Sequence, residues 1–512
     1  MSDSPRSAGS WTLLDIVEAL GCAVYGPVGD DAELAATAIG DGRDAGVTID
    51  TRHVRPSSVF VALQGSRSHG IEHAKEAFGN GAVAVLVGTD LEIDDERWEQ
   101  LLGDAAAHGT VLVASDCDGV TALGRLARAW RRIAHWRVVG ITGSSGKTST
   151  KDILRAILER AGMDVVASHA NWNNEIGVPL TLFAAGANTE VVICEMGMRG
   201  LGQIAWLCDV SDPDIGIITT VGTAHLELLG SREAIIAAKA ELLAHTWGGG
   251  VGIFPATRSD LVEAAERVPD RLLPFGVGSE EANDSAVLVT SLERTETGIA
   301  GSIDLMGVDR AFSLPLHGLH HARNFAAAAS ALVTLVGSAS LLAEDALLLD
   351  SGDAASTFTS GRGNRRTLGA DGIVIDDAYN ANPESMRAAL DELAAIETGR
   401  HARRVAVLGR MAELGPAAGP MHVSVGVYAA SHRTIDVLVV IGADVDADAL
   451  VEGWADARRT SPVIRFDDVE AALRAHATWV TPSDAVLVKA SRSSDLGELA
   501  TRLADVMGGA TT

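Results

Sequence analysis

Hydrophobic positions along the chain form short continuous runs separated by amphipathic stretches, the pattern of alternating strands and helices. The clearest change of pattern lies at 138–154. An apolar run at 138–141 predicts a buried strand, a turn of glycine and serine follows at 143–146, and apolar residues then recur at helical spacing. The sequence therefore predicts a strand that turns directly into a helix.

Similar runs predict the elements that come before this stretch. They indicate a helix at 11–20, a strand at 58–63, a helix at about 72–78, a strand at 82–87, an acidic stretch at 90–99 and a strand at 110–114. The next segment, 121–135, is a basic amphipathic helix. Such a face could bind nucleic acid or a membrane, but a solvated surface is the commoner explanation.

The middle of the chain continues with buried strands at 191–194 and 215–219. Residues 285–316 alternate apolar and polar side chains around two glycines, which predicts a β-hairpin. Residues 325–342 carry no charge and reach the length of a membrane span. Small residues dominate this run and no basic flank follows it, so a buried helix is the better interpretation.

The last third begins with a glycine- and serine-rich basic stretch at 357–366, which we interpret as a linker between domains. Asn382 and Pro383 form the start signal of a helix. A second series of strands is predicted at 372–375, 405–408, 437–441 and 485–488. The alternation of strands and helices predicts α/β domains with mostly parallel sheets.

Composition limits the possibilities further. A chain of 512 residues is too long for one core and predicts about three domains. The formal charge of −27 argues against nucleic acid as the main partner. The four cysteines are scattered and the N-terminus lacks an apolar export signal, so we expect a cytoplasmic protein without a membrane span.

The turn at 143–146 has the residues of a phosphate-binding loop. Its glycines let backbone amides surround an anion at a helix N-terminus, Lys147 can reach the outer phosphates, and the Thr148 hydroxyl can bind Mg²⁺. Ile141 departs from the general pattern, which has glycine there, and chance matches occur in a chain with 54 glycines. The strand and helix on either side favour nucleotide binding.

Other polar residues follow predicted strands at their carboxyl ends, where open α/β sheets bind ligands. Glu195 ends one strand and His225 lies in the loop after the next. The trio Asp50, Thr51 and Arg52 lies at a strand edge. Arg52 could bind a phosphate or sugar, and a surface ion pair is an equally good explanation.

An ordered series of motifs covers nearly the whole chain and resembles the Mur ligase family, most closely its MurF type. Paired asparagines before IGVP and the YNANP segment favour this type. The matching segments are IDTR (49–52), VFVALQG (59–65), GITGSSGKTSTK (140–151), NWNNEIGVPLTL (171–182), EMGMRG (195–200), TTVGTAHLELLGS (219–231), AKAEL (238–242), GLHHARN (318–324), GR (361–362), DDAYNANP (376–383), VLGRMAELG (407–415) and VLVKASRS (486–493).

The resemblance implies a small N-terminal α/β domain at 1–115 that holds the UDP end of the substrate. It implies a central P-loop ATPase domain with a mostly parallel sheet at 116–352 and a C-terminal Rossmann-like domain at 353–512. The implied reaction is the ATP-dependent addition of D-Ala-D-Ala to UDP-MurNAc-tripeptide in peptidoglycan synthesis. The enzyme would be a monomer and would use ATP and two Mg²⁺ ions.

The resemblance also implies roles for individual residues. The catalytic set is Lys147, His225, Lys239 and Asn174. The ATP-binding set is Gly143, Ser144, Ser145, Gly146, Lys147, Thr148, Ser149, Asn324, Arg362 and Asp377. The substrate-binding set is Thr51, Arg52, Asn173, Asn382, Lys489, Ser491 and Arg492, and the metal ligands are Thr148, Glu195, His225 and Lys239, the last expected to be carbamoylated.

Taken alone, several of these residues have ordinary structural explanations. His225 could be a packing residue, Lys239 a surface lysine and Arg362 a linker charge. The asparagines and Asp377 could be helix or turn caps. The chain departs from the family pattern at Leu319, His321, Arg410, Ala490 and the segment 68–70, and Arg410 and Ala490 concern amine specificity.

Two other functions stay open at this point. One is a sister ligase that adds a different amino acid. The other is a non-catalytic nucleotide-binding partner of cell-wall enzymes, against which the complete set of metal ligands argues. The third residue of the tripeptide is not predicted.

Overall fold

The computed structural model describes residues 11–27, 30–65, 68–91, 93–222, 226–246, 249–350, 352, 358–369, 371–398, 402–457 and 462–508. These residues form a two-stranded, a five-stranded, a nine-stranded and a six-stranded sheet with helices packed on them. The three larger sheets follow one another along the chain and are called here the N-terminal, central and C-terminal sheets. The predicted α/β class is confirmed.

The N-terminal sheet has the order β2-β7-β6-β5-β4, and all neighbours except the β2–β7 pair are parallel. Its inner strands are short runs of Val, Ala, Leu and Phe buried on both faces, as expected in a parallel sheet. The elements are β1 (Trp11–Thr12), α1 (Leu13–Leu20), β2 (Ala23–Tyr25), α2 (Asp31–Ala36), β3 (Ala38–Ile39), β4 (Val47–Thr48), β5 (Val59–Ala62), α3 (Ala74–Gly79), β6 (Ala84–Val87), α4 (Asp95–Ala107) and β7 (Val111–Ala114).

The central sheet has the order β16-β15-β14-β13-β12-β11-β8-β10-β9 and is parallel from β9 to β14. The elements are α5 (Gly119–Ile133), β8 (Arg137–Thr142), α6 (Lys147–Arg160), β9 (Val165–Ala167), α7 (Gly177–Phe183), β10 (Val191–Glu195), α8 (Gln203–Ser211), β11 (Ile215–Ile218), α9 (Leu226–Leu229), α10 (Arg232–His245), β12 (Val251–Pro255), α11 (Asp260–Ala264), β13 (Arg271–Val277), β14 (Val287–Thr295), β15 (Gly298–Leu305), β16 (Asp309–Leu314) and α12 (His321–Val336). Strand β8 lies between β10 and β11, so the turn after it opens at the centre of the carboxyl edge.

The C-terminal sheet has the order β17-β18-β22-β19-β20-β21, with β17 antiparallel to β18 and the rest parallel. The elements are β17 (Asn364–Leu368), β18 (Gly372–Asp376), α13 (Pro383–Ala394), β19 (Arg404–Leu408), α14 (Ala418–Ser431), β20 (Val437–Ile441), α15 (Val445–Ala457), β21 (Val463–Phe466), α16 (Val469–Arg474), β22 (Ala485–Lys489) and α17 (Leu496–Gly508). Short 3₁₀ turns lie at Thr51–His53, Gly70–His73, Ser279–Glu281, Ala339–Leu341, Gly415–Ala417, His476–Thr478 and Arg492–Ser494.

Four local predictions need correction. The segment 285–316 forms three antiparallel strands that extend the central sheet, because turns interrupt it twice. The segment 325–342 is not one helix, since Gly337 ends α12 in a left-handed conformation. The acidic stretch at 90–99 runs into α4, whose first turn Asp94 caps. The predicted linker overlaps the start of β17 (Asn364–Leu368), so its last part is a strand and not a linker.

None of the helices in the described ranges is long and apolar enough to cross a membrane. The basic helix α5 buries one side, which includes Leu123, Leu126 and Trp130. Most of its arginines are exposed to solvent. Arg131 contacts the loop after α8, where its Nη2 lies 3.1 Å from Asp214 Oδ2. This arrangement agrees with the solvated-face explanation.

One hydrophobic core joins the N-terminal and central parts of the chain. Trp11 is 1% exposed, and its ring centroid lies 5.2 Å from that of Trp130 and 6.5 Å from that of Phe183. The Trp11 indole Nε1 donates to the Ala45 carbonyl oxygen at 2.8 Å, and the Ala45 amide donates to the Phe183 carbonyl oxygen at 2.8 Å. These contacts hold the N-terminal elements against the central sheet.

The Trp11→Ala variant is expected to lower the free energy of unfolding by about 3–5 kcal/mol, because it leaves a cavity among the aromatic rings of this core. Urea unfolding followed by circular dichroism measures the change. Trp98→Ala is the matched control, since Trp98 is only half-buried and meets Tyr25 edge-on at 5.6 Å. Equal losses in the two variants would contradict this account of the core.

Candidate active site

The turn between β8 and α6 is packed too closely for side chains at two of its glycines. Gly143 has a φ of 152°, and a Cβ there would lie 1.9 Å from Thr219 Oγ1. Gly146 has a φ of 83°, and a Cβ there would lie 2.4 Å from Asn324 Oδ1. Both residues must therefore be glycine for the turn to keep this shape.

The end of β11 supports the turn through hydrogen bonds. Thr219 Oγ1 donates to the Ser145 carbonyl oxygen at 2.6 Å, and the Ser145 amide donates to Thr220 Oγ1 at 2.9 Å. The Ser144 amide donates to the Thr220 carbonyl oxygen at 3.0 Å. The loop is thus fixed in place before a ligand arrives, which lowers the cost of ordering it on binding.

Lys147 is the first residue of α6, and its Nζ donates to the Gly143 carbonyl oxygen at 2.8 Å. Burial lowers the pKa of Lys147, the nearby Arg362 charge lowers it further, and the carboxylates of Glu195 and Glu413 oppose these shifts. A buried cation of this kind is stabilised when an anion binds beside it. Lys147 is therefore placed to bind a phosphate.

Thr148, Glu195 and Asn173 form a buried polar group next to Lys147. Thr148 Oγ1 donates to Glu195 Oε2 at 2.8 Å, and Asn173 Nδ2 donates to Glu195 Oε1 at 3.0 Å. Glu195 is 3% exposed and forms no ion pair with a residue in the described ranges. A buried carboxylate with only neutral donors, next to a hydroxyl oxygen, fits the oxygen ligands that Mg²⁺ prefers.

Of the two other predicted metal ligands, Lys239 lies within the described residues and His225 does not. Lys239 lies on α10 and is 1% exposed, so it is not the surface lysine that its residue type alone suggests. Burial holds the pKa of Lys239 well below its usual range, and the charge of Lys147 lowers it further. His225 lies outside the described residues, within which no cluster of three or more His, Cys, Asp or Glu side chains is found.

Residues of the C-terminal sheet reach the phosphate-binding turn. Arg362 Nη2 donates to Thr148 Oγ1 at 3.0 Å, and the Arg362 guanidinium lies 4.2 Å from the centroid of the Tyr379 ring. Arg362 Nε is buried and has no hydrogen-bond partner in the part of the chain that the structure describes. Asn382 Nδ2 donates to the Ser144 carbonyl oxygen at 3.3 Å. Arg362 is thus held in position beside the loop, and its Nε can still donate a hydrogen bond to a ligand.

A cavity lies between the turn and the C-terminal sheet, and we call it the nucleotide-side cavity. All the predicted ATP-binding side chains from Ser144 to Ser149, together with Asn324, Arg362 and Asp377, line it. Lys489 also lines it, and its Nζ contacts Asp377 Oδ2 at 2.7 Å and the Asn380 carbonyl oxygen at 3.0 Å. Lys489 therefore lines the nucleotide-side cavity and not the next cavity along the site, and its expected role toward the incoming amine stays a prediction.

A second cavity of about 510 Å³ lies on the other side of Lys147, and we call it the transfer cavity. Four residues line both cavities: Ser144, Lys147, Asn380 and Asn382. The transfer cavity is also lined by the predicted residues Asn173, Asn174, Ser491 and Arg492. Lys147 and Asn382 thus lie between the two cavities.

A third cavity of about 820 Å³ lies between the N-terminal elements and α7, and it shares Asn171 and Asn174 with the transfer cavity. Arg52 lines it and pairs with Asp50, with Nε to Oδ1 at 2.9 Å, which lowers the pKa of Asp50 to about 2. Thr51 is not among the lining residues, because its hydroxyl donates to Glu76 Oε2 at 2.7 Å. Arg52 therefore forms the surface ion pair, and its role in binding a phosphate or sugar stays a prediction.

Asn174 and Ser491 have structural roles in addition to lining the transfer cavity. Asn174 Oδ1 accepts from the Gly177 amide at 2.9 Å at the start of α7. Ser491 Oγ accepts from the Ala412 amide at 2.8 Å. Sequence reasoning missed Thr219, Thr220 and Tyr379 as supports of the site, although all three lie within segments that match the family.

Comparisons with known proteins agree with this architecture. Residues 141–332 match the Mur ligase middle domain, and residues 361–492 match the Mur ligase, glutamate ligase domain. The chain is 35% identical to the UDP-N-acetylmuramoyl-tripeptide–D-alanyl-D-alanine ligase of Synechocystis sp., over 89% of this chain and 91% of that protein. The chain belongs to the Mur ligase family.

Solved structures narrow the similarity to one type within the family. MurF from Acinetobacter baumannii superposes with a TM-score of 0.78 at 26% identity, covering 98% of this chain and all of that one. MurF from Thermotoga maritima in complex with ADP superposes with a TM-score of 0.72 at 26% identity, covering 90% and 97%. This chain is thus similar over nearly its whole length to ligases of the MurF type.

The Gly146→Ala variant is expected to lose most of its affinity for ATP, because the new methyl group would meet Asn324 and displace the loop. Calorimetric titration with ATP measures the change. Gly162→Ala is the matched control: Gly162 has a φ of 85°, and a Cβ there would have no heavy atom within 4 Å. It carries the same backbone strain, about 1 kcal/mol, and should bind ATP normally. Equal ATP affinities would contradict the close-packing argument.

Proposed function

We propose that this chain is an ATP-dependent ligase that joins D-alanyl-D-alanine to UDP-N-acetylmuramoyl-tripeptide in peptidoglycan precursor synthesis. The observation that carries the proposal is the position of Lys147 between the nucleotide-side cavity and the transfer cavity. The family membership and the similarity to MurF-type ligases support it. In this scheme, domains at 1–115, 116–352 and 353–512 hold the UDP substrate, ATP and the amine.

In the first step, an oxygen of the tripeptide's terminal carboxylate attacks the γ-phosphorus of ATP. An acyl phosphate forms, and the bond to the β-phosphate oxygen breaks to release ADP. Lys147 and Arg362 place positive charge beside the transferred group, whose negative charge is spread over its oxygens. The two cavities bring the donor and the acceptor to opposite sides of this point.

In the second step, the amine nitrogen of the dipeptide attacks the acyl carbon. The amide bond forms, inorganic phosphate leaves, and the nitrogen loses a proton. Asn173 and Asn174 line the cavity in which this attack takes place and can donate to the carbonyl oxygen as it gains negative charge. The chain's contribution to this step is orientation in a space separated from the nucleotide.

Thr148 and Glu195 would hold Mg²⁺, which supplies Lewis-acid charge neutralisation at the phosphates when bound. His225 and Lys239 complete the proposed ligand set, and a second Mg²⁺ would need an oxygen ligand from Lys239. A lysine becomes such a ligand when its neutral nitrogen bonds to the carbon of CO₂ and releases a proton, forming a carbamate. Burial lowers the pKa of Lys239, which favours the neutral amine that this reaction needs.

The substrate dependence of ADP release tests the function directly. ADP is expected only when ATP, UDP-MurNAc-tripeptide and D-Ala-D-Ala are all present, with mass analysis showing the pentapeptide product. Lys147→Ala is the inactive control, because it removes the cation beside the transferred phosphate. Full turnover without the dipeptide would overturn the proposal, and a higher rate with another amine would favour a sister ligase.

The Lys239→Ala variant is expected to lose turnover, because the second metal loses its ligand. Short carboxylic acids are expected to restore part of the activity by occupying the space of the carbamate. In the wild type, labelled bicarbonate should give a carbamate carbon signal in nuclear magnetic resonance, and the variant should lack it. Wild-type activity in Lys239→Ala would remove the carbamate from the mechanism.

A non-catalytic nucleotide-binding protein is the alternative of a different class. It would bind ATP tightly and release no ADP with any combination of acceptor and amine. A buried carboxylate such as Glu195, with only neutral donors around it, has no evident purpose in such a protein. The expected cytoplasmic location and monomeric state stay predictions, and sedimentation measures the second.

A further inference from the structure

The transfer cavity must accept an amine whose two ends carry opposite charges, if the proposed function holds. A free α-amino group has a pKa of about 7.7–8.0 and an α-carboxyl group a pKa of about 3.3–3.7, so a dipeptide arrives as a zwitterion near neutral pH. The family resemblance supplied candidates for the carboxylate end. It supplied none for the ammonium end.

The loop after β19 forms one wall of the transfer cavity and is held in place from behind. The Met411 amide donates to His422 Nε2 at 2.9 Å, and the Ala412 amide donates to Ser491 Oγ at 2.8 Å. Met411 and Leu414 are buried, and His422 is fully enclosed. The backbone between Ala412 and Leu414 is therefore fixed in position.

Glu413 lies between these two residues, lines the transfer cavity and has a φ of 62°. The left-handed conformation is unfavourable for a residue with a side chain, by about 1–2 kcal/mol. Strain of this kind persists where the surrounding structure imposes it, and it is concentrated at functional sites. Here it is imposed by the anchored residues on both sides, and Glu413 is an exposed residue in the wall of the cavity.

Arg492 supplies the opposite charge on the same wall. Ser491 joins the two loops, because its amide donates to the Arg410 carbonyl oxygen at 2.9 Å and its hydroxyl accepts from the Ala412 amide. The Arg492 side chain forms no hydrogen bond or ion pair within the described ranges, and the residue lines the cavity. The wall thus carries one fixed anion and one available cation.

Two other cations of the C-terminal part are already paired elsewhere. Arg410 Nε contacts Asp446 Oδ2 at 2.8 Å, and Arg410 does not line the transfer cavity. Lys489 pairs with Asp377 on the nucleotide side. The departure from the family pattern at Arg410 therefore leaves the charge of the amine wall unchanged.

Glu175 is the other carboxylate that lines the transfer cavity. It follows Asn174, which also lines the third cavity toward the N-terminal elements. Its position places it with the acceptor side of the transfer cavity. Glu413 is the carboxylate that belongs to the C-terminal part, together with Arg492.

We propose that Glu413 binds the ammonium group of the incoming amine substrate, while Arg492 binds its carboxylate. The inference rests on the proposed ligase function and adds a residue that sets which amines are accepted. Glu413 acts as a fixed anion that orients the nitrogen toward the acyl carbon, and its carboxylate can accept the proton that the ammonium group must lose before the nitrogen attacks. Glu413 and Arg492 lie at a set distance from each other. The wall therefore selects amines whose ammonium and carboxylate groups are separated by a matching distance.

The test compares two nucleophiles in Glu413→Gln. For D-Ala-D-Ala, kcat/KM is expected to fall at least about tenfold, since a hydrogen bond to a charged group is lost. Hydroxylamine is uncharged at neutral pH and traps an acyl phosphate as a hydroxamate, so its rate should stay within twofold of wild type. Glu413→Asp should recover part of the dipeptide activity, because it keeps the charge.

Glu452→Gln is the control, because it makes the same chemical change at an exposed position on α15. An unchanged kcat/KM for the dipeptide in Glu413→Gln would overturn the inference. An equal loss with hydroxylamine would also overturn it, because the residue would then serve the phosphoryl step or folding.

A second measurement tests the carboxylate end. D-Ala-D-Ala amide lacks the terminal charge and should be a poorer substrate than D-Ala-D-Ala for the wild type. In Arg492→Ala the two dipeptides should react equally. A preference for the free carboxylate that survives in Arg492→Ala would overturn this half of the inference.

The failure of this inference can be told apart from the failure of the proposed function. If the wild type forms neither hydroxamate nor ADP with UDP-MurNAc-tripeptide, the ligase function is wrong. If the wild type is active and Glu413→Gln matches it with both nucleophiles, only the assignment of Glu413 is wrong.

Discussion

The close packing of the turn at 143–146 is the constraint on which the rest of the site depends. The turn has no room for a side chain at either glycine, because Thr219 approaches it from β11 and Asn324 from α12. Three elements that are distant in sequence must therefore meet around one backbone segment. Their meeting fixes where Lys147 and Thr148 begin α6, and every other functional side chain is placed relative to these two.

Around that point the structure gathers buried charge in an unusual amount. Lys239 is buried and Lys147 is half-buried, and loss of water around each lowers its pKa. Glu195 is buried, and within the described residues its carboxylate accepts hydrogen bonds from a threonine and an asparagine. A phosphate beside Lys147 and a cation beside Glu195 would offset these costs, so binding of these ligands would stabilise the arrangement.

The sequence is sufficient for features that depend on neighbouring residues. It predicts the strand, turn and helix around Lys147 closely, because their glycines and apolar spacing are local. It misses the helix α4, because most residues of that helix are polar and its apolar side is narrow. It makes α12 too long, because Gly337 ends that helix and does not merely interrupt it. Parallel strands are recognisable from their unbroken apolar runs.

Contacts between distant segments cannot be predicted in the same way. Arg362 and Thr148 are 214 residues apart, and Asn382 and Ser144 are 238 apart, so only the packing of two sheets brings them together. Lys489 shows the same limit, since a residue at a strand end can face either of two cavities. Its pairing with Asp377 decides the side.

The C-terminal sheet carries parts of two cavities at once. Arg362 and Asp377 line the nucleotide-side cavity, whereas Glu413 and Arg492 line the transfer cavity, and all four lie in loops next to strands of this sheet. The N-terminal elements, by contrast, share a core with the central sheet through Trp11. Under the proposed function, any displacement of the C-terminal sheet would therefore alter the walls of both cavities at the same time.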